Sequence, residues 1–433
     1  MLFDVVKFSC LLRCRSWLWL VLLLLGRLGA AQPTGPSGGF VLAKPGRRQV
    51  SFTFTTQRNL LIVAVRLNGQ GPYNFLLDTG VATSLITDPA LADSLHLLRG
   101  QEYRLMGMGG EDSGLRAYET AGVRVELPGV VAPRLTLMVL SSDVLDLSSY
   151  AAMPIHGLLG SELFQSLVVA IRPQQSQLVC YDPARYQAPK GRRWSTLPLL
   201  IDHNKAYLTA EVEQLATSSL GPLPLQLVLD TGAGHALSLE TSADRRLHLP
   251  AARLRTDLGR GLTGVVSGYV GRVASVRLGS YHLPQVLTSF PDSTQVHERL
   301  NAAERHRQGN LGYEMLKRFD MVIDYPHQRL LLRSTSQLRA PFEHDMCGLD
   351  LIACGPDYRR YQVQRVVPGS PAAATDIAEG EEVLTINFLP VQDMSLTDIT
   401  RLLNSQDGRR IFFLLRQPNG DLHAAHVRLR RRI

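Results

Sequence analysis

Two aspartates, Asp78 and Asp230, stand in matching surroundings: Phe75-Leu76-Leu77-Asp78-Thr79-Gly80 and Leu227-Val228-Leu229-Asp230-Thr231-Gly232. Each closes a short apolar run that reads as a buried strand. The glycine behind it permits a sharp turn that leaves the carboxyl at the strand's end rather than inside a core. Two carboxyls within hydrogen-bond distance cannot both ionise, so they share one proton and titrate as a pair. The ionised member can then take a proton from water, the water can attack a carbonyl carbon, and the protonated member can stabilise the developing oxyanion. This chemistry requires no cofactor and no covalent intermediate. The sequence has no metal-ligand spacing, with neither His-Glu-x-x-His nor Cys-x-x-Cys among its residues.

The elements that would position these acids are also duplicated. Gly157-Leu158-Leu159-Gly160 and Gly309-Asn310-Leu311-Gly312 each begin 79 residues beyond their aspartate. An offset of 152 superimposes Asp78 on Asp230, Gly157 on Gly309, Gly160 on Gly312 and Glu162 on Glu314 without a gap. A duplication of this kind predicts two lobes, each contributing one aspartate. After each glycine motif a short helix is expected, over 161–167 and 313–319, followed by a strand pair. Asn68-Gly69-Gln70-Gly71-Pro72 reads as the turn feeding the Asp78 strand. Glycine-dense turns lie at 106–114 and 258–264. Neither contains Gly-Lys-Ser/Thr nor opens an apolar helix, which argues against a phosphate loop.

These motifs resemble the aspartic peptidases of the pepsin and retropepsin type, whose signature is Asp-Thr/Ser-Gly followed in each lobe by two apolar residues and a glycine. Leu158-Leu159-Gly160 fits the second motif, while Asn310 stands where an apolar residue is usual. The resemblance covers about Ser51 to Ser334 and implies a mainly β, bilobal acid-protease-like barrel pair with Asp78 and Asp230 as the catalytic dyad. It further implies that the Thr79 and Thr231 hydroxyls cross between lobes, with Gly80 and Gly232 completing the dyad loops. The glycine-dense hairpins would close over a substrate, making Met108, Gly109, Gly110, Gly261 and Leu262 substrate-contact candidates. Thr83 and His235, five residues beyond each aspartate, join them. Val81 and Ala233 occupy positions where relatives commonly carry a hydroxyl that donates to a catalytic carboxylate. Its absence leads to an expected activity optimum on the order of pH 4 to 6.

Composition places the rest of the chain. Its 433 residues, 45% hydrophobic and 19% charged, suit a globular protein of two or three domains. The net charge of +8 falls to +5 without residues 1–31, which hold four basic residues and one acid, and nothing points to nucleic acid. Residues 1–31 combine a basic front, an apolar run from Trp17 to Leu25 and small residues at Gly29-Ala30-Ala31. This is a signal-peptide pattern, too short to span a bilayer, and it predicts a periplasmic or secreted protein with no stable membrane span after cleavage. Gln32 to Gly39 reads as a flexible lead-in. Of the later cysteines, Cys180, Cys347 and Cys354, the last two could bridge if the chain turned between them; three free thiols is the alternative. Asp182 to Pro198 reads as a solvated linker and 297–306 as an exposed charged helix.

Past Pro341 the duplication has ended. Tyr361 to Ala372, Gly380 to Asn387 and Val391 resemble the PDZ domain, with Glu381 and Phe388 departing from its pattern. Cys347-Gly348-Leu349-Asp350-Leu351 falls where that family's carboxylate-binding loop would be. The expected organisation is a signal peptide over 1–31, lobes over 51–186 and 195–335, and a PDZ-like α/β module over 342–433. The expected function is peptide-bond hydrolysis by a monomeric endopeptidase acting on peptides or proteins, with a peptide ligand for the C-terminal module. The rival from another class is an inert secreted peptide-binding adaptor.

Overall fold

The computed structural model of the chain describes residues 38–104, 115–215, 221–261, 264–292 and 307–433, and they are mainly β. The signal-peptide segment and the 297–306 segment lie outside them. In the first half, Leu60–Leu67 and Gln70–Leu77 form a hairpin whose two turn residues, Asn68 and Gly69, both take positive φ. Such a turn matches the right-handed twist of the strands it joins. The pairing continues around a ring of six strands: Leu60–Leu67, Gln70–Leu77, Gly157–Leu159, Leu85–Ile86, Val130–Leu140 and Arg116–Leu127. The second half repeats it with Lys205–Glu213, Leu223–Leu229, Gly309–Leu311, Leu237–Leu239, Tyr281–Pro291 and Gly264–Leu278. Closing the ring leaves no open edge in either barrel. Their interiors fill with alternating aliphatic side chains such as Leu61, Val63 and Val65 in the first, and Leu225, Leu227 and Leu229 in the second.

A six-stranded sheet joins the halves. Gln49–Thr53, Gln177–Tyr181 and Val168–Arg172 come from the first, and Phe319–Asp324, Arg329–Ser334 and Ser195–Pro198 from the second. The joint is the pair Val168–Arg172 and Phe319–Asp324. Its register puts Ala170 opposite Val322, two positions that the 152-residue offset makes equivalent. Part of the expected linker is therefore structured, because Ser195 to Pro198 can hydrogen-bond to the outer edge of Arg329–Ser334.

Residues 346–429 have their own core, built on a six-stranded sheet and the helix Leu396–Leu403, which Ser395 caps through the Asp398 N–H. Phe342, read from the sequence as the head of this segment, packs instead into the core of the lobes. There the Arg318 guanidinium lies 3.5 Å above its ring. Cys347 and Cys354 are both free. The extended strand Leu349–Cys354 separates them by roughly 17 Å at the usual strand rise, far beyond disulfide reach. The Cys347 and Gly348 N–H groups, in the loop expected to bind a ligand carboxylate, donate to the chain's own Asp345 carboxylate. Asp350 is paired with Arg365 at 2.8 Å. The module rests on both lobes. Arg58 donates to the Leu351 carbonyl and from its backbone to Thr397, while Arg365 reaches Thr256 and Asp257 of the second-lobe hairpin.

Candidate active site

Each aspartate emerges from its barrel between strands that approach unusually closely. The Asp78 N–H donates to the Leu159 carbonyl at 2.9 Å and the Asp230 N–H to the Leu311 carbonyl at 3.0 Å, continuing the parallel pairings Leu77–Leu159 and Leu229–Leu311. A Cβ on Gly157 would lie 2.3 Å from the Leu85 carbonyl oxygen, and one on Gly309 1.8 Å from that of Ser238. Only glycine lets the third strand of each loop come this near.

The two loops are locked to each other by their threonines. Thr79 Oγ1 donates to the Leu229 carbonyl at 2.7 Å and Thr231 Oγ1 to the Leu77 carbonyl at 2.9 Å. Each hydroxyl also accepts the other threonine's N–H at 3.0 Å. All four bonds are buried and obey the twofold relation of the duplication. The glycines behind the threonines complete the fit across the lobes. A Cβ on Gly80 would sit 2.8 Å from Asp230 Oδ1, and one on Gly232 2.1 Å from the Asp78 carboxyl.

Asp78 and Asp230 thus face one another within hydrogen-bonding reach. Burial, reinforced by the Asp230 charge, pushes Asp78 up to about 8 against the opposing pull of the Gly80 N–H and Lys205. The donors are distributed unequally. Asp78 Oδ1 accepts the Gly80 N–H at 2.7 Å. Asp230 Oδ1 accepts the N–H groups of Gly232 and Ala233 at 3.1 and 3.0 Å, and its Oδ2 accepts the Asn310 side-chain amide at 2.8 Å. The expectation that both dyad loops lack a donor in place of the usual hydroxyl is therefore corrected for the second lobe, where Asn310 supplies one from the neighbouring strand. Sequence reasoning missed this residue. Its signal was the polar side chain at the first position of an apolar-apolar-glycine motif, beside the strand that ends in Asp230.

The remaining candidates are scattered. Thr83 is half-buried close behind the Asp78 loop. His235 lies by Asp230, its pKa lowered by burial, with Nε2 buried and without a hydrogen-bond partner among the described residues. Gly261 pairs with Gly264 at the tip of the Arg253–Gly261 hairpin. Met108, Gly109, Gly110 and Leu262 lie outside the described residues. Glu162 and Glu314, equivalent in sequence, have diverged. Glu162 holds Ser84 through its N–H and hydroxyl, both at 2.7 Å, whereas Glu314 binds Asn59 of the other lobe and the buried Arg318.

The sequence model of the aspartyl protease family matches twice, at residues 63–163 and 216–315, so that each match contains one Asp-Thr-Gly loop. Both lobes match the aspartyl protease family. Among solved structures, the aspartic proteinase from Irpex lacteus aligns over 68% of this chain and 99% of its own, at 14% identity and a TM-score of 0.41. A photosystem II D1 C-terminal processing protease aligns over 19% of this chain and 22% of its own, at 21% identity and a TM-score of 0.18. No curated protein sequence matches. Among the described residues, no helix is long and apolar enough to cross a membrane.

Proposed function

We propose that the chain is an extracytoplasmic aspartic endopeptidase, exported by residues 1–31 and active as a monomer, with Asp78 and Asp230 as its catalytic dyad. The observation that carries this reading is the pair of carboxyls held face to face by the reciprocal Thr79–Thr231 bonds. A water between them would lose a proton to the ionised aspartate as its oxygen bonds to the peptide carbonyl carbon, while the protonated aspartate gives its proton to the carbonyl oxygen. The tetrahedral diol then collapses: the first aspartate returns its proton to the amide nitrogen, the C–N bond breaks, and the second recovers a proton from the diol hydroxyl. Atoms and charge balance without a covalent enzyme intermediate.

The C-terminal segment, in this reading, is a PDZ-like module for a peptide or protein partner. Its own hydrophobic core and edge strand Leu349–Cys354 support that assignment. The Asp345 carboxylate on the loop amides and the Arg58 contact with Leu351 argue that a ligand must displace bonds already made within the chain. The test of the whole proposal is digestion of a denatured-protein mixture by the exported chain and by Asp78→Ala, with product termini read by mass spectrometry. New termini from the first and none from the second are expected. Equal products from both would end the aspartic-peptidase reading.

A further inference from the structure

The first and second lobes differ in a side chain that reaches the dyad. Leu158 of the first lobe packs into a small apolar cluster with Leu76, Leu85 and Ile155, and Val81 lies against it. Its equivalent in the second lobe is Asn310, whose amide nitrogen lies 2.8 Å from Asp230 Oδ2. With a carboxylate as partner, only the NH2 end of the amide can face it, since the carbonyl end would set two acceptors against each other. Asp230 therefore accepts three hydrogen bonds where a single bond to Asp78, from Gly80, is seen. Donors of this kind favour the ionised form of the carboxyl they reach.

We propose that Asn310 is a positioning residue that breaks the symmetry of the dyad, fixing the charge on Asp230 and the shared proton on Asp78. Asp230 is then the base that deprotonates the water, and Asp78 the acid that protonates the carbonyl oxygen. The inference rests on the aspartic-peptidase reading for the reaction it serves, and on geometry alone for the placement of the proton. Other titratable groups around the pair do not supply the same bias. His235, on the Asp230 loop, is kept neutral by burial, and Tyr325, at the end of the Phe319–Asp324 strand, is held protonated by burial and by both aspartate charges. Lys205 bears on Asp78 and would favour charge there, the opposite of the proposed assignment.

The test compares wild type with Asn310→Leu and Asn310→Ala, the second guarding against a clash introduced by the first. In both, the acidic limb of kcat/KM against pH should rise by about one unit, the size expected from one hydrogen bond to a charged acceptor. Adding Ala233→Thr, which offers a hydroxyl beside Asp230, should move it back. A second readout is independent of turnover. In protein labelled with carboxyl-13C aspartate and assigned with Asp78→Asn and Asp230→Asn, the Asp230 signal should titrate at higher pH in the Asn310 variants than in wild type. Unmoved limb and unmoved carboxyl signals in folded variants would overturn the proposal. A wild-type protein that cleaves nothing would instead defeat the peptidase reading, leaving the carboxyl titration to decide the role of Asn310.

Discussion

Replacing Thr231 by valine preserves its shape and removes its hydroxyl from the centre of the molecule. Thr231 Oγ1 donates to the Leu77 carbonyl at 2.9 Å and accepts the Thr79 N–H at 3.0 Å, and both threonines are fully buried. The change therefore orphans one buried acceptor and one buried donor, because the valine methyl fills the place of the hydroxyl. At about 1–3 kcal/mol for each unsatisfied group the loss is about 4 kcal/mol, a large share of the 5–15 kcal/mol that typically holds a domain together. In a thermal melt this corresponds to a fall of roughly 8–16 °C for a domain of 150–250 residues. Because the bonds are reciprocal, Thr79→Val should cost the same within error, and Thr231→Ser, which keeps the hydroxyl, should cost much less. The assay is calorimetric melting of the three variants, with peptide hydrolysis measured well below the lowest transition. If Thr231→Val melts within about 1 °C of wild type, or Thr231→Ser falls as far as Thr231→Val, the hydroxyl bridge is not what couples the lobes.

Three further outcomes follow. Asp78, pushed up to about 8 in the folded protein from a reference of 3.8, binds a proton there that the unfolded chain releases. Stability should accordingly fall as pH rises through that window, and Asp78→Asn should flatten the fall in urea melts taken at several pH values. Arg318→Met would remove bonds to the Gln337, Ala340 and Pro341 carbonyls and to Glu314, which keeps Lys317 and Asn59. With three carbonyls left short of a donor at about 1–3 kcal/mol each, a loss of about 3 kcal/mol or more is expected, together with new proteolytic nicks in 335–345, and an unchanged cleavage pattern would count against it. Arg58→Ala should loosen the C-terminal module against the first lobe by removing the side-chain bond to the Leu351 carbonyl, while the backbone bond from residue 58 to Thr397 remains. Faster hydrogen exchange in Leu349–Cys354 without loss of peptide hydrolysis is the expected readout, and unchanged exchange there would refute it.

The strands that end in the aspartates, the glycine motifs and the repeated helix-strand endings could be read from the chain because each uses a local signal: an apolar run, a turn glycine or a fixed offset. What escaped was decided by partners far away in sequence. Ser195 to Pro198 looks like linker until the edge of Arg329–Ser334 is beside it. Phe342 belongs to the lobes because Arg318 stacks on it, a contact no periodicity announces. Asn310 was visible as a departure from an apolar motif, but its meaning depends on a carboxyl 80 residues earlier. Asp345 occupies the loop amides of its own module through a backbone turn that composition does not encode.

The joint of the central sheet carries a consequence for assembly. Ala170 and Val322 face each other across it at equivalent points of the two halves, with Val169 opposite Ile323 and Ile171 opposite Met321. The two strands therefore meet antiparallel in a register that would look the same from either side, the arrangement of an isologous dimer contact. Each half, separated from the other, would expose an edge strand already shaped to pair with a copy of itself. Joining both in one chain makes that encounter intramolecular, and any event that pulls the halves apart exposes two sticky edges at once. The same geometry that aligns the aspartates sets the route by which opened molecules would seize one another.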